Sequence, residues 1–190
     1  LVRLHRLWGD EVTAEYYVDD MGKQVAVLAW ALESMNADEV ESLLSDRDPV
    51  NPKWKQKADH QRVRWYQAAQ RRRKESEAAT EIEEAIGSLV HASEHGDEQV
   101  LDAFAQAYQP VLDGMLETLG RLGIQFDRFT KESLFVTNGD VAKLMAELGR
   151  LDINGVADNG AQYLDLGQRG LKGKTEFFYR RGDGSSLYAT

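Results

Sequence analysis

The stretch "EVTAEYYVDDMGKQVAVLAWALESM", residues 11–35, holds the pattern that decides the fold class. Residues 11–18 are rich in β-branched and aromatic side chains, which favour a strand. From about Asp20 the apolar residues recur with helical spacing, and acidic side chains stand at the N-terminus, where the helix dipole favours them. An apolar helix over 2–8 precedes the strand, and Gly9 is a typical helix stop. Helix, strand, tight turn and helix in this order are typical of a parallel α/β sheet.

The middle of the chain loses this alternation, and no strand is predicted between residues 37 and 122. The predicted helices are a short one capped by Asn36 or Asp38, a long one over 56–90, and one that starts near Asp97 and that Pro110 should kink or split. The switch in apolar spacing at both borders predicts a helical insertion of roughly 85 residues in an α/β frame.

Strands return after residue 123. The predicted elements are an extended segment over 124–129, a helix capped by Asn138, a hairpin turning at Asn159-Gly160 and a final hairpin turning at Asp183-Gly184. The sequence therefore predicts an α/β fold in three parts. Residues 1–36 begin the α/β frame, residues 37–122 form the helical insertion, and residues 123–190 make a β-rich return with β-hairpins near the C-terminus.

Composition excludes several classes of protein. The net charge of −9 argues against a protein that coats nucleic acid through bulk charge, although a local basic patch can still contact RNA. The absence of cysteine excludes disulfides and thiolate metal sites and suits a reducing compartment, so we expect a cytoplasmic protein. No apolar run approaches the ~18 residues of a membrane span, so no membrane partner is predicted.

Three patterns could carry chemistry, and each also has a plain structural interpretation. His91 and His95 stand four residues apart, but "HASEHG" lacks the glutamate of a zincin motif, so no metal site is predicted. The basic run over 70–75 fits a solvated helix with the pairs Arg71–Glu75 and Arg73–Glu77, with phosphate contact as the alternative. Asp19 and Asp20 follow a strand, where ligands bind in open α/β sheets, and a helix N-cap would explain one of them but not obviously both. Taken alone, Glu132 after a short strand would be an exposed loop residue.

Three segments in order resemble the catalytic domain of arginyl-tRNA synthetases, most closely the archaeal type. They are "EYYVDDMGKQ" (15–24), "LGIQFDRFTKESLF" (122–135) and "RRGDGSSLYAT" (180–190). Between them, "KADHQRVRWYQAA" (57–69) looks like a family segment in the helical insertion. Asp19 replaces the usual Asn or Gly of the first segment, and Ser185 the usual Thr of the last. The three segments together span nearly the whole chain.

The resemblance implies an incomplete Rossmann-type nucleotide-binding fold interrupted by a large helical insertion. In the family, a His-Ile-Gly-His motif precedes the first segment, and a Lys-Met-Ser-Lys loop follows the last. Neither occurs in these 190 residues. We therefore expect an interior fragment of the catalytic domain, which explains why the chain begins in a helical pattern and stops inside a predicted strand.

The resemblance also implies a two-step ligase reaction for the full-length enzyme, which uses ATP with Mg²⁺ as substrate, without a bound prosthetic group. The carboxylate of L-arginine attacks the α-phosphate of ATP, and the arginyl group then passes to tRNA(Arg). Glu132 matches the family's glutamate that faces the arginine side chain, and Tyr188 its tyrosine in the same pocket. Asp20 and Gln24 match a turn bordering the amino-acid site, where a structural role and a binding role both remain open. No catalytic set is complete in this chain, which is expected to be inactive alone.

One alternative belongs to another class of protein. The chain could be a free-standing, non-catalytic helical interaction or RNA-contact module derived from a synthetase. The flanking sequence of the gene separates the two interpretations, because the enzyme needs the two missing motifs in frame. The oligomeric state stays open under both.

Overall fold

The computed structural model describes residues 1–75 and 77–187 and divides the chain into two compact units. The larger unit joins residues 1–93 to residues 97–132. The smaller unit joins residues 94–96 to the chain after residue 132. Each unit has a buried apolar cluster of its own, so each is described by itself.

The larger unit holds six helices and two strands among its described residues. The helices are α1 (Val2–Trp8), α2 (Gly22–Ser34), α3 (Ala37–Leu43), α4 (Ala58–Glu75), α5 (Ala79–Glu94) and α6 (Glu98–Arg121). The strands are β1 (Glu15–Val18) and β2 (Arg128–Lys131), which pair in parallel with Val18 opposite Lys131. A 3₁₀ turn over Pro52–Trp54 precedes α4.

The core of the larger unit lies where α2, α4 and α6 pack against one another. Alanines occupy much of this contact: Ala26 and Ala31 of α2 and Ala68 and Ala69 of α4 are all completely buried. Phe104 of α6 is equally buried and belongs to the same cluster. Small side chains let helix backbones approach closely, and the larger apolar side chains then fill the space between them at the density of a protein interior.

Local capping signals place several helix ends where the sequence predicts them. Gly9 ends α1 with a left-handed φ of 100°. Asn36 caps α3 in a reciprocal capping box with Glu39, which settles the choice between Asn36 and Asp38. Asp97 caps α6 by accepting hydrogen bonds from two backbone N–H groups of its first turn.

Three helix predictions need correction. The predicted helix near Asp20 begins only at Gly22, so Asp19 and Asp20 precede it and its first turn has no acidic residue. The Asp20 N–H donates instead to the carbonyl of Val18. The long helix predicted over 56–90 is two helices, since a straight rod of that length would run about 50 Å at 1.5 Å per residue and could not keep both halves against one core. Pro110 does not split α6, in which Tyr108 before it and Gly114 after it are both buried.

The two strands are shorter than predicted. β1 covers only residues 15–18 of the predicted 11–18, and β2 lies at 128–131 instead of 124–129. Asp127 sets the start of both strands, because its backbone N–H and its carboxylate both bond the backbone of Ala14. Ile124 is tied to the end of α6 and is not extended, since its N–H donates to the carbonyl of Leu119.

The smaller unit combines two short helices with an antiparallel sheet. Its elements are α7 (Ser133–Thr137), α8 (Asp140–Leu148), β3 (Asn154–Val156), β4 (Gln162–Asp165) and β5 (Glu176–Arg180), with the sheet in the order β3-β4-β5. The predicted hairpin at Asn159-Gly160 is confirmed, with Gly160 at φ 81°. The predicted helix begins at Asp140, whose N–H donates to the Asn138 side chain.

The final hairpin is confirmed as far as the structure describes it. Its turn has Gly184 at φ 93°, and a bridge joins Arg180 to Ser186. In the described parts of residues 37–122 the secondary structure is helical without strands, while the three-part division of the chain stays a prediction. No helix of residues 1–75 and 77–187 is long and apolar enough to cross a membrane.

Candidate functional site

The carboxyl ends of β1 and β2 bring two sequence-predicted residues together. The carbonyl oxygen of Val18 accepts one hydrogen bond from the N–H of Asp20 and another from the N–H of Glu132, each at 3.0 Å. Ligands of open α/β sheets bind outside the carboxyl ends of the parallel strands. We therefore take residues 18–20 and 131–132, called the carboxyl edge below, as the candidate site.

The acids of the carboxyl edge differ in their exposure to solvent. Asp20 is only 4% exposed, Glu132 is half-buried, and Asp19 is exposed. Because a buried carboxylate is costly unless polar or charged groups compensate it, the burial of Asp20 requires partners close by. Of the two aspartates, Asp20 is therefore the one that is buried at the carboxyl edge.

Lys131 supplies a positive charge at this edge. Its ammonium lies 5.8 Å from the ring centroid of Tyr108, which α6 presents from the helical part of the unit. The Tyr108 side chain raises the pKa of Lys131, partial burial opposes the effect, and the charge of Asp20 adds to it. The contact falls short of a hydrogen bond, because the buried Tyr108 hydroxyl has no hydrogen-bond partner among the described residues. Tyr108 and Asp20 therefore both favour the charged form of Lys131.

The opposite end of the two strands is fixed by a second polar group. Glu15 accepts hydrogen bonds from Arg128 and Thr130 of the neighbouring strand, and these two bonds lower the pKa of its carboxyl. The rings of Tyr16 and Phe126 pack edge to face, with centroids 5.2 Å apart. These cross-strand contacts hold the register that brings the carboxyl edge together.

The basic run of α4 is tied to other elements of the larger unit. Arg71 pairs with Asp46, and Arg73 pairs with Glu83. The predicted pair of Arg73 with Glu77 is therefore wrong. That of Arg71 with Glu75 involves a side chain outside the described set. Arg71 and Arg73 pair with acids elsewhere in the unit because the folded chain brings these acids within reach of the long arginine side chains. Phosphate contact by this run stays a prediction.

The histidines lie apart from the carboxyl edge in the sequence, and they form no metal site in what the structure describes. His60 stacks on Trp54 with ring centroids 6.2 Å apart. Across residues 1–75 and 77–187, no group of three or more His, Cys, Asp or Glu side chains could hold a metal ion.

Of the four predicted site residues, two lie together, one is exposed on a helix and one lies outside the described residues. Asp20 and Glu132 meet at the carboxyl edge, and Gln24 is exposed on the first turn of α2. Tyr188 lies outside the described residues. Sequence reasoning missed the contact between Lys131 and Tyr108, which joins the end of β2 to α6 and has no local signal in the sequence.

The chain matches known proteins along its whole length, although no family model matches it. It is 36% identical over 190 residues to the arginine–tRNA ligase of Methanocella arvoryzae. The match covers 100% of this chain and 31% of that protein. The ligase of Methanothermobacter thermautotrophicus is 33% identical, with coverage of 100% and 30%.

A solved structure shares the fold. The arginyl-tRNA synthetase of Thermus thermophilus superposes with a TM-score of 0.59 at 23% identity, covering 98% of this chain and 29% of that one. The chain thus spans about 30% of the length of the curated relatives it matches. Several arginine–tRNA ligases match all 190 residues of this chain at more than 30% identity. The chain therefore belongs to the arginyl-tRNA synthetase family.

Proposed function

We propose that this chain is part of an arginine–tRNA ligase, which activates L-arginine with ATP and Mg²⁺ and transfers the arginyl group to tRNA(Arg). The similarity of the whole chain to arginine–tRNA ligases supports the reaction class. The observation that carries the proposal is the carboxyl edge, where Asp20 and Glu132 share the Val18 carbonyl. A cationic amino acid needs carboxylates at the place where an α/β sheet binds its ligands.

In this proposal, Glu132 contacts the guanidinium of bound arginine. A guanidinium is a permanent cation with a planar fork of donors, and a carboxylate accepts two of its N–H groups side by side. Glu132 is half-buried, so a contact with it is less screened by water than a contact at the surface. Asp20 and Gln24 border the pocket in this proposal, and Tyr188, which the resemblance also assigns to it, lies outside the described residues.

The remaining architecture is proposed on the same basis. The parallel pair β1–β2 with α2 following β1 is part of a Rossmann-type nucleotide-binding fold, and residues 37–122 are a helical insertion in that fold. The groups that bind the phosphates of ATP then lie in parts of the synthetase outside these 190 residues. This chain contributes to recognition of arginine.

Glu132→Gln in the intact synthetase tests the proposal, because the amide keeps the shape of the side chain and removes its charge. We expect the catalytic efficiency for arginine to fall by about one to three decades, as expected for losing a charge-assisted contact of roughly 1.5–3 kcal/mol or somewhat more. The Michaelis constant for ATP should change much less, because the carboxylate does not touch the phosphates. Steady-state kinetics with each substrate varied in turn give both numbers.

Glu147→Gln is the matched control, since Glu147 is exposed on α8. It makes the same chemical change at a position without a role in this proposal, and its kinetics should equal those of the unmodified enzyme. An arginine dependence that Glu132→Gln leaves unchanged would remove Glu132 from the pocket and reject the proposal.

A further inference from the structure

Trp54 stands at the surface of the larger unit among cationic side chains. Its side chain is 38% exposed, although the ammonium of Lys53 lies 5.1 Å and that of Lys57 5.8 Å from the ring centroid. The ring of His60 stacks beside it, inclined by 24°. These four residues are called the tryptophan patch below. Trp54 belongs to neither of the two buried apolar clusters, so the packing of a core does not account for the ring.

Hydrogen bonds fix the 3₁₀ turn that carries Trp54. The N–H of Trp54 donates to the carbonyl of Asn51 at 2.8 Å, and the carbonyl of Trp54 accepts from the N–H of Lys57 at 2.9 Å. The Asn51 side chain accepts from the N–H of Lys53, and Pro52 has a φ fixed by its own ring. The turn therefore holds the Trp54 ring at the surface before any ligand binds, which reduces the conformational entropy lost on binding.

The charge of this segment is opposite to that of the whole chain. Residues 53–64 contain five lysines or arginines and one aspartate, whereas the chain has a net charge of −9. Lys53 forms no salt bridge with any residue that the structure describes. Lys57 pairs at 3.2 Å with the exposed carboxylate of Glu117. Exposed pairs of this kind contribute little to stability, so a phosphate group can replace that carboxylate.

The basic run of α4 is less suited to phosphate. Its three arginines each pair with a carboxylate elsewhere in the unit, in the pairs Arg71–Asp46, Arg72–Glu39 and Arg73–Glu83. A phosphate would have to displace these carboxylates, whereas Lys53 gives up only its contact with an aromatic ring. The unpaired cation and the exposed ring therefore occur together in the tryptophan patch.

We propose that the tryptophan patch binds an unstacked base of tRNA together with the neighbouring phosphates. The base stacks on the ring of Trp54, and the ammonium groups of Lys53 and Lys57 pair with the phosphates. Aromatic side chains that stack on bases, with cations beside them for the backbone, are the usual means of binding unpaired nucleotides. The proposal rests on the proposed function, because it takes tRNA as a substrate of the intact synthetase.

The strengths of the two kinds of contact favour an exchange of partners on the ring. A lysine beside an exposed aromatic ring favours the contact by about 2- to 5-fold, whereas a base stacked on such a ring favours binding by about 5- to 150-fold. The base therefore replaces the ammonium of Lys53 on the Trp54 ring. The displaced ammonium remains within reach of the phosphates of the stacked nucleotide, because the lysine side chain is long and flexible.

The test measures binding of tRNA(Arg) to the intact synthetase carrying Trp54→Leu or Lys53→Gln. Leucine keeps an apolar side chain and removes the aromatic ring. We expect Trp54→Leu to raise the Kd about 5- to 50-fold without changing its dependence on salt, because stacking is lost and the phosphate contacts are kept. Lys53→Gln should reduce the slope of log Kd against log salt concentration by about 0.7–0.9, since one phosphate contact is lost. Filter binding at several salt concentrations gives both quantities.

A control variant and thermal unfolding separate tRNA binding from a structural role. Lys143→Gln makes the same change as Lys53→Gln at an exposed position of α8 and should change neither the Kd nor its salt dependence. Both patch variants should keep the melting temperature within about 2 °C and the Michaelis constant for arginine, at saturating tRNA, within about 2-fold. A purely structural role of Trp54 would instead lower the melting temperature and leave the Kd unchanged, which would contradict the inference.

Charging of tRNA(Arg) by the unmodified synthetase distinguishes the ways to fail. If the unmodified synthetase charges tRNA(Arg) and both patch variants bind this tRNA equally well, the inference is wrong and the proposed function stands. If the unmodified synthetase does not charge tRNA(Arg), the proposed function fails and the inference fails with it. Weaker binding by Lys53→Gln alone would show that the patch contacts phosphate without stacking, and this result would also overturn the inference.

Discussion

The side chain of Tyr179 lies in the core of the smaller unit and bonds to two neighbouring residues there. Tyr179 is completely buried, and its hydroxyl shares its proton between the amide oxygens of Asn154 and Gln162, at 2.7 and 2.9 Å. Burial raises the pKa of Tyr179, with the charge of Arg180 opposing the effect, so the phenol stays neutral at physiological pH. One side chain thus links β3, β4 and β5.

Tyr179→Phe should lower the free energy of unfolding of the chain by about 1–2 kcal/mol, because it leaves two amide groups without their partner. Urea denaturation of the variant and the unmodified chain measures the difference. Tyr163→Phe is the control: this tyrosine is half-buried and packs its ring on Phe178. We expect a change within about 0.5 kcal/mol there. Equal losses in the two variants would show that the Tyr179 hydrogen bonds contribute nothing of their own.

At the scale of residues, the sequence predicts the acids of the carboxyl edge but not their surroundings. Asp20 and Glu132 each follow a short strand, and that position is visible locally. The contact of Tyr108 with Lys131 depends on where α6 packs against the end of β2, and it joins distant parts of the chain. An aromatic residue in an amphipathic helix predicts burial, and nothing in its local sequence shows that the hydroxyl lacks a partner.

The close approach of two helices depends on a glycine in α6. Gly114 is buried where α6 packs on α4, and a methyl group at this position would lie 2.5 Å from the Cβ of Asp59. Since the Cβ itself is in the way, rotating the Asp59 side chain cannot relieve the clash, and the helices must separate.

Gly114→Ala should therefore destabilise the chain by about 1–3 kcal/mol despite the better helix propensity of alanine. Gly87→Ala is the matched control, because Gly87 is exposed in the middle of α5 and a Cβ there meets nothing within 4 Å. That variant should gain roughly 0.5–1 kcal/mol. Chemical denaturation gives both values, and a stabilising Gly114→Ala would contradict the packing described for α4 and α6.

The segment between α3 and α4 is fixed by charge. The carboxylate of Asp48 pairs with Lys55 at 2.8 Å and with Arg64 at 3.0 Å, and accepts a hydrogen bond from the N–H of Val50. Burial alone would raise the pKa of Asp48, but these three partners outweigh it and hold the pKa below its usual value. The ionised form is therefore favoured more in the folded chain than in the unfolded one.

Stability from Asp48 should be present above the unfolded pKa of about 3.9 and be lost as the pH falls through the lower folded value. Asp48→Asn should cost about 1–3 kcal/mol at pH 7, and its deficit should shrink as the pH falls below about 4. Thermal unfolding from pH 3 to 7 measures both, with Asp102→Asn, on the exposed side of α6, as the control. A deficit that is independent of pH would contradict a role for the charge.

At the scale of elements, ends fixed by neighbouring residues were predictable and ends fixed by distant ones were not. Asn36 and Asp97 cap helices through bonds to residues two or three positions away. The start of β2 depends on bonds between Asp127 and Ala14, more than a hundred positions apart. The break between α4 and α5 likewise follows from the need of both helices to reach one core.

At the scale of the molecule, the sequence suggests three parts, whereas the contacts group the chain into two units. The larger unit contains β1, β2 and all of α1–α4 and α6. Apolar spacing marks where the type of structure changes, and it carries no information on which segments share a core. The cluster of α2 with α4 and α6 joins residues on both sides of the predicted border at residue 37.

The chain of 190 residues should not catalyse arginine-dependent exchange of pyrophosphate with ATP, even with tRNA(Arg) present. The resemblance implies that the His-Ile-Gly-His and Lys-Met-Ser-Lys motifs bind the phosphates, and neither motif occurs in these 190 residues. Formation of the adenylate depends mostly on positioning and electrostatic stabilisation of those phosphates. Under the proposed function this chain contributes only to the arginine pocket, so it lacks the larger share of the catalysis. Exchange of labelled pyrophosphate by the purified chain measures this, with an intact arginyl-tRNA synthetase as the positive control and a mock preparation as the background. Robust exchange above that background would mean that these residues bind and orient ATP themselves, and the assignment of the carboxyl edge to arginine alone would then be wrong.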